Sequence, residues 1–83
     1  MPRFMDIHRN MGGVTADQVA SAHGKDLQVQ GKYGVEYLRY WLDEGAGRLF
    51  CLCEGPSKEA VVAVHREAHG LVADEVFEVK EGS

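Results

Sequence analysis

Residues 48–70 read R-L-F-C-L-C-E-G-P-S-K-E-A-V-V-A-V-H-R-E-A-H-G, and this stretch decides the fold. Residues 49–54 are an apolar run of strand length. The run must end at Gly55-Pro56, because proline cannot donate a hydrogen bond to a neighbouring strand. After the proline, apolar residues recur at the helical spacing of Val61, Val64 and Ala68. The stretch therefore predicts a strand, a turn and a helix that ends at Gly70.

Length and charge limit what the chain can be. Its 83 residues predict a single domain over residues 1–83, with a small core that self-association would help to stabilise. A formal net charge of −4 leaves no basic surface for a nucleic acid. The longest apolar run, residues 49–53, is too short to span a membrane, and no apolar segment of a signal peptide follows the N-terminus. We expect a cytoplasmic protein.

The remaining segments complete a βαββαβ order. Residues 3–9 alternate like a strand, and Thr15 with Gln18 forms a capping-box signal for a first helix. A second strand over residues 35–42 is followed by a glycine-rich hairpin loop and then by the strand described above. A last strand is predicted over residues 75–79. This order predicts an α+β, ferredoxin-like fold, an antiparallel sheet with two helices on one face.

The open face of such a sheet needs a partner if it is apolar. The strand over residues 35–42 has apolar side chains on both faces, with one set at Val35, Tyr37 and Trp41 and the other at Leu38, Tyr40 and Leu42. We therefore expect a homodimer packed through the open sheet face.

Period-two alternation divides the residues of the first and third strands between the two faces of the sheet. If Met5, Ile7, Phe50 and Leu52 face the helices, then Asp6, His8, Cys51 and Cys53 share the open face on neighbouring strands.

The two cysteines are separated by one residue, so a disulfide between them is disfavoured by strand geometry. Free thiols suit a reducing cytoplasm. Cys51 and Cys53 are either metal ligands or small hydrophobic side chains of a core strand.

His65 and His69 lie one helical turn apart, a spacing that lets two imidazoles reach one metal ion. Arg66 stands where a zinc protease needs its glutamate, which excludes that class. The alternative for His69 is a favourable interaction with the helix C-terminus.

Nickel, copper and zinc all accept imidazole together with thiolate or carboxylate. Because buried thiols have raised pKa values, we expect imidazoles at the surface to bind the ion in preference to the cysteines. No nucleophile triad or phosphate-binding loop is present, so an enzyme is not expected. The candidate ligands are His8, His65, His69, His23, Cys51, Cys53, Asp6 and Glu54.

Three strings carry a resemblance to a known family: F-M-D-I-H-R from Phe4, C-L-C-E-G-P-S-K-E-A-V from Cys51, and H-R-E-A-H-G-L-V-A-D-E-V from His65. Together they resemble a family of short bacterial proteins, mostly of unknown function, that are dimeric and ferredoxin-like. One member is a nickel-binding protein thought to sequester nickel. The resemblance implies nickel as the cofactor and nickel sequestration as the function.

Two other functions remain open. The chain could be a cofactor-free enzyme or small-molecule binder that resembles the dimeric ferredoxin-like monooxygenases, with a cavity between sheet and helices lined by Tyr37, Tyr40 and Trp41. It could also be a dimer with a structural role alone. An apolar cavity would favour the small-molecule function.

Overall fold

A computed structural model describes residues 1–82 and shows the predicted order of elements. The four strands form one antiparallel sheet, and both helices cover one face of it, so the ferredoxin-like α+β prediction is confirmed. In space the strands follow the order β2-β3-β1-β4. The elements are β1 (Arg3–His8), α1 (Ala16–Val29), a short 3-10 helix (Gln30–Tyr33), β2 (Glu36–Asp43), β3 (Arg48–Glu54), α2 (Lys58–Ala68) and β4 (Glu75–Val79).

Local signals in the sequence set the ends of both helices. The Thr15 hydroxyl accepts from Gln18 N–H, while the Gln18 side chain accepts from Thr15 N–H, which is the predicted capping box. The Ser57 hydroxyl caps α2 by accepting from Ala60 N–H. Gly70 has a φ of 79°, the left-handed conformation that ends α2, as predicted. Among residues 1–82 no helix is both long and apolar enough to cross a membrane.

Strand register brings the predicted polar residues onto one face. Asp6 pairs with Cys51 and Phe4 pairs with Cys53 across β1 and β3, so these side chains share a face with His8. That face lies under the helices, however, and the prediction that it would be the open face is wrong. Phe4, Asp6, His8, Cys51 and Cys53 are all buried. Met5, Ile7, Phe50 and Leu52, predicted to lie under the helices, are half-buried on the other face.

The error has a physical cause. A buried carboxylate is costly only when it lacks partners, and α2 brings His65, which pairs with Asp6. The apolar residues Val19, Val61 and Val64 pack into the same core with Phe4, so the covered face is partly hydrophobic and partly a polar network.

A β-bulge in β2 changes which residues share a face. Tyr37 pairs with Cys53, but the next pair is Arg39 with Leu52, so Leu38 is an extra residue. Because the alternation shifts at this point, Tyr37 lies on the covered face together with Tyr40 and Leu42. Trp41 lies on the open face and is 47% exposed, so the predicted sharing of a face by Tyr37 and Trp41 is wrong.

The β2–β3 hairpin is fixed against the loop after β1. Gly47 has a φ of 66°, and its carbonyl accepts a hydrogen bond of 2.9 Å from Met11 N–H. A Cβ atom on Gly47 would lie 2.8 Å from Gly12 N, a distance that requires the backbone to move. This contact holds Met11 in its buried position.

We predict that Gly47→Ala lowers the free energy of unfolding by about 1–3 kcal/mol, because it adds both a left-handed alanine and a backbone clash. Gly45→Ala in the same loop is the matched control. Its Cβ would meet no atom closer than 3.8 Å, so the change should stay within about 0.5 kcal/mol. Urea unfolding followed by circular dichroism measures both variants, and equal effects would contradict this role of Gly47.

Candidate metal centre

His65 on α2 is the centre of the buried polar network. Its Nε2 lies 2.9 Å from Asp6 Oδ2 on β1, and its Nδ1 lies 2.9 Å from Asp26 Oδ1 on α1. A carboxylate can only accept hydrogen bonds, so both ring nitrogens of His65 donate and the ring is an imidazolium. The side chain is 2% exposed. Three elements that are distant in sequence are thus joined through one ring.

His65 and Asp6 shift each other's pKa values. Burial alone would lower the pKa of His65, but its hydrogen bonds to Asp26 and Asp6 and the charges of both carboxylates raise it to about 9. Burial would raise the pKa of Asp6, but its hydrogen bond from the charged His65 ring and the closeness of the His8 ring lower it to about 2. Both groups are therefore charged at neutral pH.

Tyr37 and His69 complete the network. The Tyr37 hydroxyl lies 3.3 Å from Asp6 Oδ2 and donates to it, and burial followed by the Asp6 charge raises the pKa of this tyrosine. His69 Nδ1 accepts from Leu71 N–H at 3.0 Å, so its proton is on Nε2, which lies 3.0 Å from Asp26 Oδ1. His69 is therefore a neutral imidazole, and burial lowers its pKa.

Two buried atoms in the described part of the chain lack a hydrogen-bond partner, and they face each other. They are Asp6 Oδ1 and His8 Nε2, which lie 3.3 Å apart without the geometry of a hydrogen bond. An unpaired buried polar atom costs about 1–3 kcal/mol. A carboxylate oxygen beside an imidazole nitrogen is an arrangement that a bound cation would satisfy.

Two groups of potential ligand atoms occur among residues 1–82, each with its atoms within 4.8 Å of one another. The first is Asp6, His8, Cys51 and His65, and the second is Asp26, His65 and His69. The second group is already satisfied by its own hydrogen bonds. The first contains both unpaired atoms, so its donor set fits a metal ion better.

The cysteines are free, and both lie in the core of the sheet. Burial, followed by the charge of Asp6, raises the pKa of Cys51 far above that of an ordinary thiol. The same two causes raise the pKa of Cys53 to about 12. Both are neutral thiols at neutral pH, as the sequence predicted. Cys51 belongs to the first ligand group, and Cys53 belongs to neither.

The other candidate ligands lie elsewhere. His23 packs against the Tyr40 ring at a centroid distance of 4.9 Å. Glu54 lies on the open face, where it pairs with Arg3 at 3.1 Å, and it belongs to neither ligand group. The expectation of surface imidazoles is wrong for His8 and His65, because both rings are buried under the helices.

Sequence reasoning missed Asp26. It is 3% exposed, and it lies on the helical stripe that also carries Val19 and Val29. An acidic residue on the apolar stripe of an amphipathic helix was the available signal, since such a residue needs a buried partner.

A cavity of about 260 Å³ lies between α1, the sheet and the end of α2, beside this network. Most of its walls are apolar, and His8, Cys51 and His65 contribute to one side. Tyr40 lines it as predicted, whereas Tyr37 and Trp41 do not. Exposed Gln18 and Leu71 also line it, so the cavity reaches the protein surface.

Comparison with known proteins bears on what this centre is for. The family model described as "Nickel responsive protein SCO4226-like" matches residues 4–79 of the chain. The chain belongs to the SCO4226-like family. A solved structure of this family, the crystal structure of SCO4226 from Streptomyces coelicolor A3(2), is 46% identical in sequence and superimposes with a TM-score of 0.92. The match covers 98% of this chain and 99% of that one. No curated protein sequence matches the chain. For this member of the SCO4226-like family, the resemblance to short bacterial ferredoxin-like proteins is confirmed.

The His65 network predicts a pH dependence of stability. A pKa raised on folding from 6.5 to about 9 stabilises the protein fully below pH 6.5, and this stabilisation is lost as the pH rises through 9. We predict that the stability difference between wild type and His65→Gln shrinks by roughly 3 kcal/mol between pH 6 and pH 9.5. Urea unfolding at each pH measures it.

His23→Gln is the matched control, because His23 makes no hydrogen bond through its side chain within residues 1–82. Its stability difference from wild type should stay constant over the same range. A His65→Gln difference that is independent of pH would show that His65 is not an imidazolium in the folded protein.

Proposed function

We propose that the protein binds Ni²⁺ and sequesters it at the centre formed by Asp6, His8, Cys51 and His65. The observation that carries this proposal is the facing pair of unpaired atoms, Asp6 Oδ1 and His8 Nε2. Membership of a family described as nickel responsive supports nickel as the ion. Imidazole, carboxylate and thiolate are all ligands that nickel accepts.

The surroundings of the centre suit a bound ion. His65 Nδ1–H donates to Asp26, and a carboxylate behind a ligating imidazole orients the ring and increases its basicity. The cavity provides an approach to His8, Cys51 and His65 from the surface. An ion held in such a buried place exchanges slowly, which suits sequestration in a cytoplasm that keeps both cysteines reduced.

Binding must compete with protons. His65 can coordinate through Nε2 only after losing the proton that it now donates to Asp6. With a pKa of about 9, this proton is present at neutral pH, so the affinity for the ion rises with pH up to about pH 9. This pH range lies above the one in which an ordinary surface histidine would lose its proton. Cys51 would add a second proton release if its thiol also coordinates.

We predict that Asp6→Asn and His8→Gln each weaken Ni²⁺ binding at least tenfold, because each removes one of the two unpaired donor atoms while keeping the side chain's shape. Calorimetry on tag-free protein at pH 7.5 and pH 8.5 measures the affinity. In wild type the affinity should rise about tenfold between these two pH values, through the proton on His65.

Glu54→Gln and His23→Gln are the matched controls, one carboxylate and one imidazole outside the centre. Both should bind Ni²⁺ within about twofold of wild type. Loss of binding in Cys51→Ser/Cys53→Ser, with normal binding in His8→Gln, would replace this centre by a thiolate site. A wild type that does not bind Ni²⁺ would leave a structural role for the protein.

We also infer that two copies of the chain pack through their open sheet faces. This face carries the large exposed side chains of Trp41 and Phe77, which are 47% and 43% exposed. Half-buried apolar side chains surround them: Met5, Ile7, Phe50 and Leu52. A contiguous apolar surface of this kind on a small protein is typical of an interface, and a second sheet of the same shape would cover it.

We predict that light scattering at micromolar concentration gives twice the 9.2 kDa mass of one chain. Trp41→Asp should convert the protein to a monomer, because an unpaired carboxylate in a dry interface costs several kcal/mol. Leu27→Asp is the matched control, since Leu27 is also 47% exposed but lies on α1, on the other side of the sheet. A monomeric wild type would contradict the proposal.

A further inference from the structure

The cavity beside the metal centre is large enough for a small organic molecule. Its volume is about 260 Å³, and it reaches the surface where Gln18 and Leu71 are exposed. For comparison, an apolar cavity of about 150 Å³ stays dry and binds benzene. A ligand somewhat larger than one benzene ring would therefore fill this space.

Aliphatic side chains form much of the cavity wall. Met11, Val14, Val19 and Leu49 contribute to it from the loop after β1, from the start of α1 and from β3. Water in such a space finds few hydrogen-bond partners, so its replacement by an apolar group is favourable. The body of a ligand that fits this wall is therefore apolar.

Three polar side chains of the wall keep unused hydrogen-bonding capacity. The hydroxyls of Tyr33 and Tyr37 make hydrogen bonds, whereas that of Tyr40 makes none within residues 1–82. His23 packs against the Tyr40 ring, and its own ring nitrogens also make no hydrogen bond in that part of the chain. Gln18 uses its amide oxygen in the capping box of α1, which leaves its amide NH₂ group as a donor. One hydroxyl or carbonyl oxygen on a ligand suits groups of this kind.

A charged ligand fits this wall less well than an uncharged one. Apart from Tyr40, the titratable side chains that line the cavity are His8, His23, Asp26, Cys51, His65 and His69. Asp26 is bonded to both His65 and His69, and His8 lies beside a carboxylate oxygen of the sheet. A charged group on the ligand would compete with these partners. No lysine or arginine among residues 1–82 lines the cavity, and a charge moved from water into an aliphatic space without a free partner is costly.

We propose that the cavity binds a small uncharged molecule with an apolar ring as its body and one hydroxyl or carbonyl oxygen, which bonds the Tyr40 hydroxyl. The ring lies against Met11, Val19 and Leu49. This site goes beyond nickel binding and does not depend on it, because none of these four side chains belongs to the metal centre.

Phenethyl alcohol, phenethylamine and hydrocinnamate are probes of similar shape that are neutral, cationic and anionic at pH 7.5. Titration into chelator-treated protein, followed by amide NMR shifts, should give phenethyl alcohol a Kd below about 2 mM. Both charged probes should bind at least tenfold more weakly. The shifts should be at residues of α1 such as Val19 and Ala22, and not at Trp41 on the open face.

Tyr40→Phe tests the contact with the ligand oxygen, because it removes the hydroxyl and keeps the ring that packs on His23. It should weaken phenethyl alcohol at least threefold. Ethylbenzene lacks the oxygen, so its binding should stay within about twofold of wild type. An equal loss for the two probes would contradict the contact with the hydroxyl.

Ala22→Phe should fill the cavity and weaken phenethyl alcohol at least tenfold, since Ala22 lines it. Ala20→Phe is the matched control on the same helix. Ala20 is exposed and does not line the cavity, so this variant should bind within about twofold of wild type.

The wild-type titration decides the matter even if a variant does not fold. A charged probe that binds as tightly as phenethyl alcohol, shifts confined to the open face, or no saturable shift up to 5 mM would each overturn the proposal. Because the titration uses metal-free protein, its result is separate from the outcome of the Ni²⁺ experiment.

Discussion

The placement of the His65 ring between two carboxylates is the interaction on which the rest of the structure depends. It joins β1, α1 and α2 through two hydrogen bonds of 2.9 Å. They lie in a core that is small because the chain is short. Breaking such a buried arrangement by removing one partner leaves an uncompensated charge, which is strongly destabilising. The position of α1 relative to α2 is therefore determined by electrostatics as well as by apolar packing. The same arrangement holds the candidate ligands of the metal centre within reach of one another.

The fold could be predicted from the sequence because its signals are local. Thr15 with Gln18, Ser57 and Gly70 set the helix ends, and apolar periodicity gave the strands within one or two residues. The prediction that Asp6, His8, Cys51 and Cys53 share a face also followed from period-two alternation. The helix ends and strand positions depend only on residues close in sequence, and the shared face also needed the pairing of β1 with β3 that the element order implies; the structure confirmed both.

The site could be predicted only in part, because its partners are distant in sequence. Alternation alone does not say which face the helices cover, and nothing near Asp6 in the sequence shows that His65 reaches it from α2. The bulge at Leu38 could not be predicted either, because the residue types of the strand do not show where an extra residue lies. That extra residue moves Trp41 to the other face. Asp26 carried a local signal, its place on the apolar stripe of α1, but its partner His65 could not be read from residues nearby.

The bulge in β2 has a consequence for how copies of the protein meet. Sheet order makes β2 an edge strand, and its outer backbone groups could recruit a strand from another molecule. An extra residue at Leu38 interrupts the regular spacing of those groups, and the exposed charges of Glu36 and Arg39 flank the interruption. Pairing of another molecule's strand along β2 is thereby discouraged. A single inserted residue thus makes this edge of the sheet a poor template for aggregation.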